Sequence, residues 1–207
     1  MKEHWERVYR EKDHGKFSWW QETPKSSLEI IHSLNIATSA RIIDVGGGDG
    51  KLVDFLLDEG FDNITVLDIS ELAIERAKLR LGERAQRVTW MVSDINDLRT
   101  ETEFDVWHDR ATFHFLTSQT LVDNYVSVAQ QSVKPGGHLI LGTFSSNGPK
   151  TCSGLSVQRY NETLLNSVLE EWFEKIRCFT EDHVTPMNTM QNFLYCSFRR
   201  RESSQSR

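Results

Sequence analysis

The string Asp44-Val45-Gly46-Gly47-Gly48-Asp49-Gly50 sets a carboxylate on each side of a glycine-rich turn. Glycines there let the backbone take positive φ and let a ligand approach the main chain closely. From Gly46 the first two glycines of a dinucleotide fingerprint are in place, but the third falls on Lys51, which disfavours a pyrophosphate. Asp44 and Asp49 would repel a phosphate as well, and they favour a ligand carrying positive charge. Asp68 follows about 20 positions later, at the end of the next apolar segment, where doubly wound proteins place the group that grips a ribose. It is expected to accept both ribose hydroxyls, with Ile69 beside it. A third segment runs into Ser93-Asp94-Ile95, an acidic-then-apolar pair suited to an adenine: Asp94 accepts from the exocyclic amine and Ile95 covers the ring face. Read alone, Asp94 is more often a loop-capping aspartate.

The elements that must hold these residues alternate along the chain. Residues 41–45 are short, β-branched and apolar on both faces, as a strand covered by helices on either side should be. Residues 51–59 have helical apolar spacing and stop at Gly60. Strand patterns recur at 63–70, 87–92, 104–109 and 138–141, with helical patterns at 70–81, where Ser70 is the N-cap, and at 118–133 before Pro135-Gly136-Gly137. Past Phe144 the alternation stops: 145–160 reads as a loop, 163–175 as an amphipathic helix, and 177–185 with 193–199 as two strands joined by a turn.

Asp44 to Gly50, Leu67-Asp68-Ile69-Ser70, Ser93-Asp94-Ile95, and Lys134-Pro135-Gly136-Gly137 with the strand after it together resemble the class I S-adenosylmethionine-dependent methyltransferases, in order and over roughly residues 40 to 145. The resemblance implies a Rossmann-like, doubly wound α/β fold with a seven-stranded sheet, mostly parallel and ending in a reversed C-terminal hairpin. It implies S-adenosyl-L-methionine as cofactor. Asp44, Gly46, Gly47 and Gly48 would hold its amino acid part and ribose, Asp68 the ribose, and Asp94 with Ile95 the adenine. Gly47 stands where the commonest form of the first motif has Cys or Thr.

Open parallel sheets bind ligands at the carboxyl ends of their strands, so Asp109, Arg110, Thr112, Phe113 and His114 are candidates for the neighbourhood of the transferred methyl. Asp109 and His114 are the candidate catalytic residues, to orient an amine or take its proton. Asp109 belongs equally to the cofactor pocket, and His114 reads equally as a satisfied loop histidine. Trp5 and Tyr9 fall on one face of a helix, with Trp20 in the aromatic stretch that follows. Their rings either staple the leader to the sheet or cap a sulfonium, and both readings can hold. The leader, the segment 107–116 and Cys152-Ser153-Gly154-Leu155 further resemble citrate synthase lysine methyltransferases and related small bacterial enzymes, while Asp109-Arg110-Ala111-Thr112 is similar to a segment of lysine methyltransferases acting on translation elongation factor. That implies methyl transfer to a nitrogen, with protein lysine as one acceptor. A small-molecule thiol, amine or oxyanion is the alternative, and an inactive cofactor-binding scaffold the second. The loop 145–160 would close over the acceptor.

With 207 residues, 38% of them hydrophobic, the chain suits one sheet with two helical layers: a helical, aromatic cap at 1–39, a methyltransferase domain at 40–199 and a disordered tail at 200–207. A net charge of -6 argues against nucleic acid, and Arg199-Arg200-Arg201 reads as a frayed, solvated end. Apolar runs are far below a membrane span, and the N-terminus lacks a signal-peptide core, so a cytosolic, membrane-free protein is expected. Cys152, Cys178 and Cys196 have no paired metal-ligand spacing and read as three free thiols, with no metal site.

Overall fold

The structure, a computed structural model, describes residues 1–13 and 15–202. Strands β1 (Arg41–Val45), β2 (Asn63–Asp68), β3 (Val88–Val92), β4 (Phe104–Arg110) and β5 (Val133–Phe144) run parallel. A short hairpin follows, β6 (Thr151–Cys152) with β7 (Leu155–Ser156), and then β8 (Phe173–Val184) and β9 (Met190–Arg200). β9 joins β5 antiparallel and β8 closes the edge, giving a seven-stranded sheet in the order β3-β2-β1-β4-β5-β9-β8. This is the doubly wound α/β architecture with a reversed terminal hairpin.

Adjacent strand residues point to opposite faces, and each face is apolar. Ile43, Val45, Trp107, Leu139 and Leu141 pack under α5 (Gln119–Ser132) and α6 (Glu162–Leu169). Ile42, Ile64, Val66, Val106 and Ile140 pack under α2 (Lys25–Ser33), α3 (Leu52–Asp58) and α4 (Glu71–Leu81). Ser70 caps α4 by accepting from Ala73 N–H at 3.2 Å. The remaining helix, α1 (Lys2–Glu11), lays Val8 and Tyr9 against Phe17 and against Ala73 of α4. No described helix is long and apolar enough to cross a membrane.

Several sequence expectations are corrected. The helix expected over 163–175 ends at Leu169, because Leu165, Leu169 and Phe173 keep helical spacing and share one core, yet Phe173 reaches that core from the start of β8. The loop 145–160 contains the β6–β7 hairpin, turned by Ser153 and Gly154 at positive φ. Arg199–Arg201 are not frayed: Arg200 closes β9 and donates to the Val133 carbonyl, while Arg201 donates from its backbone to Trp172 O (2.9 Å) and from Nε to Glu170 O (3.1 Å). Residues 203–207 of the expected tail lie outside the described residues. Cys178 and Cys196 are not free thiols. They face each other across β8 and β9, with Cα atoms 4.2 Å apart, and form a disulfide, which leaves Cys152 as the free cysteine.

Thiol counting checks this last point. Denatured, unreduced protein should present one reactive thiol and reduced protein three, and closing an 18-residue separation should make the oxidised form more stable by about 3 kcal/mol. Three reactive thiols before reduction would show that the cross-strand pair stays reduced.

Candidate active site

The strand order reverses between β1 and β4, and a crevice opens there at the carboxyl ends of the strands. After Val45 the chain turns through Gly46 (φ 66°) and Gly48 (φ 52°). Gly46 has no room for a side chain, since a Cβ there would stand 1.8 Å from Thr112 Oγ1. The amides of Gly46 and Gly47 both donate to Leu67 O, at 2.7 and 3.2 Å. With its N–H groups spent on the end of β2, the turn is not an anion nest of the phosphate-binding kind.

A cavity of about 290 Å³ fills the crevice, near the lower end for small-molecule sites. Gly46 from β1, Asp68 and Ile69 from β2, Asp94 and Ile95 after β3, and Arg110 and Thr112 at the end of β4 line its floor. Trp5 and Tyr9 of α1, with Trp19 and Phe115, form an aromatic wall. Of the residues singled out in the sequence, Trp5, Tyr9, Gly46, Asp68, Ile69, Asp94 and Ile95 thus meet around one space. Gly47 and Gly48 shape the turn, and Gly48 comes so close to Tyr9 that an added Cβ would stand 2.4 Å from its hydroxyl. Trp20 lies outside this lining, with Lys51 Nζ 5.4 Å above its ring, and Trp19 takes the inward place.

Asp44 sits beneath the turn. Its Oδ1 accepts from His108 Nδ1 at 2.7 Å on the adjacent strand, and His108 Nε2 lies 2.8 Å from Ser27 Oγ of α2. Asp109 and His114 do not line the cavity. Asp109 is fully buried and accepts from Thr112 N–H (3.0 Å), Phe113 N–H (3.2 Å) and Tyr125 Oη (2.7 Å), the last also accepting from Trp107 Nε1 (2.8 Å). Burial nevertheless lifts its pKa to about 6. His114 is also fully buried, and desolvation, then the Arg110 charge, lowers its pKa to about 3, so it is neutral. Sequence reading named Arg110 and Thr112 near the methyl but missed Trp19, Phe115 and Cys152 as lining residues; Cys152 carries no local signal, because only packing of the β6–β7 hairpin brings it to the cavity.

Asp68 is the electrostatic centre. Its Oδ1 accepts from Ser70 N–H at 2.7 Å, yet desolvation, aided by the Asp49 and Asp44 charges, raises its pKa to about 7. Tyr9, pushed well above its usual value by burial and then by Asp68 and Asp49, stays protonated beside it. Among the described residues Asp68 forms no ion pair, and none of them groups into a cluster able to hold a metal.

Residues 42–137, which hold every floor residue of the cavity, match the model of a family described as a methyltransferase domain. That match spans just under half of the chain and gives it a methyltransferase domain. The chain is 26% identical over 155 residues to EEF1A lysine methyltransferase 2 of Danio rerio, covering 68% of this chain and 66% of that protein. It is 28% identical over 146 residues to a ubiquinone biosynthesis O-methyltransferase of Dechloromonas aromatica (strain RCB), covering 64% of this chain and 60% of that one, so it spans under two thirds of either relative. The fold is shared with 1,6-didemethyltoxoflavin-N1-methyltransferase of Burkholderia thailandensis, a structure with bound S-adenosylhomocysteine, at TM-score 0.77 and 20% identity over 97% of this chain and 87% of that one.

Two measurements separate the carboxylates. Measured against Asp68→Asn, the protein without ligand should lose stability as pH rises from about 4 to about 7, because the folded state holds the Asp68 proton more tightly than an unfolded aspartate with pKa near 3.9. The Asp68 share is about 4 kcal/mol, and Asp68→Asn should remove it, leaving the smaller contribution of Asp109 in the same direction and those of His114 and His183 in the opposite one; equal slopes in the two proteins would contradict this. Tyr125→Phe, which strips one donor from buried Asp109, should cost about 2–3 kcal/mol in urea denaturation. An unchanged stability would free Asp109 for a role other than holding the turn after β4.

Proposed function

We propose that this chain transfers a methyl group from S-adenosylmethionine to a nucleophile on a small molecule that enters beside Arg110. The observation that carries the reading is Asp68, a desolvated carboxylate facing the cavity that has backbone donors in Ser70 and Gly48 but no cation to balance its ionised form. Ribose hydroxyls supply further donors without adding a charge that the neighbouring acids would repel. The rest of the site fits the same group. Asp94 Oδ1 accepts from Asn96 N–H at 2.9 Å, which fixes the carboxylate for an adenine amine, and Ile95 offers an apolar surface for the ring. Gly46, the part of the turn that lines the cavity, would border the amino acid end, with Asp44 bracing the turn from beneath. The ring faces of Trp5, Tyr9 and Trp19 favour a cation, and tryptophan favours it most.

When bound, S-adenosylmethionine supplies an electrophilic methyl on a sulfonium. The chain's own work is to fix the donor, bring the acceptor lone pair into line and keep water out. Asp68 and Asp94 hold one end of the cavity, the aromatic wall of α1 closes the top, and Arg110 with Thr112 borders the space toward β5. Asp109 and His114 act on this picture through the turn they brace.

A protein lysine is the alternative acceptor, supported by the match to the Danio rerio enzyme. Against it stands the acceptor end itself, where the lining charge is Arg110 and the nearby carboxylate of Asp109 is already taken by three donors. Titration calorimetry with S-adenosylhomocysteine tests the cofactor assignment: Asp68→Ala should bind at least about tenfold more weakly than wild type, as loss of charge-assisted hydrogen bonds requires. Unchanged affinity would remove the ribose assignment. With cofactor labelled in its methyl group and cell lysate as acceptor source, label should enter the organic extract; label confined to protein would favour lysine.

A further inference from the structure

Arg110 is held more completely than a surface guanidinium. Its Nε donates to Tyr195 Oη and its Nη1 to Trp19 O, both at 2.8 Å, and its Cζ lies 4.5 Å from the centre of the Phe193 ring. None of these partners carries charge, and among the described residues Arg110 makes no salt bridge. The Nη2 atom is buried and finds no protein acceptor. A second donor in the same neighbourhood is in the same condition. Phe144 N–H donates to His114 Nδ1 at 3.3 Å, so the neutral ring carries its hydrogen on Nε2, and Nε2 also has no protein partner. The Arg110 charge is felt by His114, His183 and Cys152 alike, and among the described residues no carboxylate is paired with it. A buried donor without an acceptor costs about 1–3 kcal/mol, more when charged, and of the two residues Arg110 is the one that lines the cavity, where a bound oxygen would answer it.

The position gives that oxygen a place. Across the mouth, in strand order, stand Asp94 after β3, Asp68 on β2, Gly46 after β1 and Arg110 on β4. The cavity is therefore acidic at its nucleoside end and basic at the other, with Trp19, Phe115 and the Arg110 stem as flat walls.

Resting on the methyltransferase reading above, we infer that Arg110 is a specificity-determining residue that receives an oxyanion, the carboxylate of a molecule bound in the cavity. A guanidinium fixed through Nε and Nη1 presents Nη2 in one direction, which suits a carboxylate better than a mobile lysine would. That carboxylate has two sources: the acceptor, or the amino acid part of the cofactor.

Calorimetry on the full chain distinguishes them with four probes: S-adenosylhomocysteine, methylthioadenosine, benzoate and its neutral analogue benzamide. Methylthioadenosine keeps the nucleoside and the thioether but has no carboxylate. If the acceptor is the source, wild type loaded with S-adenosylhomocysteine should bind benzoate at least about tenfold tighter than benzamide, and Arg110→Gln should lose that preference while keeping its S-adenosylhomocysteine affinity. If the cofactor is the source, Arg110→Gln should bind S-adenosylhomocysteine at least about tenfold more weakly, with methylthioadenosine unaffected. Arg110→Lys, which keeps the charge without the fork, should fall between and serves if the glutamine variant does not fold. Equal behaviour of wild type and both variants toward all four probes overturns the oxyanion subsite and leaves the methyltransferase reading standing. Failure of wild type to bind S-adenosylhomocysteine at all would instead strike that reading.

Discussion

A carboxylate placed in a dry crevice without a cation is costly unless something donates to it, and Asp68 is in that position. Strand β2 delivers it to the reversal in strand order, Ser70 N–H covers one oxygen, and the Asp44 and Asp49 charges make ionisation harder still. Much of the local architecture follows from keeping that oxygen reachable. The turn 46–48 draws its amides inward onto Leu67 O, and Gly48 leaves room for the Tyr9 hydroxyl to approach from α1. A neutral, hydroxyl-bearing partner relieves the acid where a phosphate would aggravate it.

The second constraint is mechanical, and it ties both ends of the chain to the same crevice. Arg110 bonds Trp19 in the N-terminal segment and Tyr195 on β9, so the aromatic wall and the terminal hairpin are fixed to the end of β4 by one side chain. His108 does the same one layer deeper, joining Asp44 to Ser27 at the start of α2. The aromatic residues of the leader consequently do both things that their composition suggests: Phe17 is wholly buried, while Trp5, Tyr9 and Trp19 face the cavity.

How much of this could be read from the sequence depended on how local the determining interactions are. Asp44 to Gly50, Asp68 and Asp94-Ile95 were readable because each is fixed by its own strand end and turn, and five parallel strands with their helices followed from apolar periodicity. Where partners are distant the reading went astray. Phe173 continues the helical spacing of Leu165 and Leu169 but is a strand residue, and Cys178 with Cys196 becomes a pair only through the register of β8 on β9. Asp109 and His114 have the chemistry of catalytic groups. Only the fold shows Tyr125 of α5 donating to Asp109 and Phe144 N–H of β5 donating to His114 Nδ1. Between Trp19 and Trp20 no sequence argument could choose, because the Trp19 ring is placed by its packing against Trp5, Tyr9 and Phe17.

A crystal structure of the chain with S-adenosylhomocysteine bears on the central claim most directly. The ribose hydroxyls should lie on the Asp68 carboxylate, with the adenine between Asp94 and Ile95 and the thioether under the rings of Trp5, Tyr9 and Trp19. A ribose turned away from Asp68, or electron density for that compound outside the crevice between β1 and β4, would contradict it.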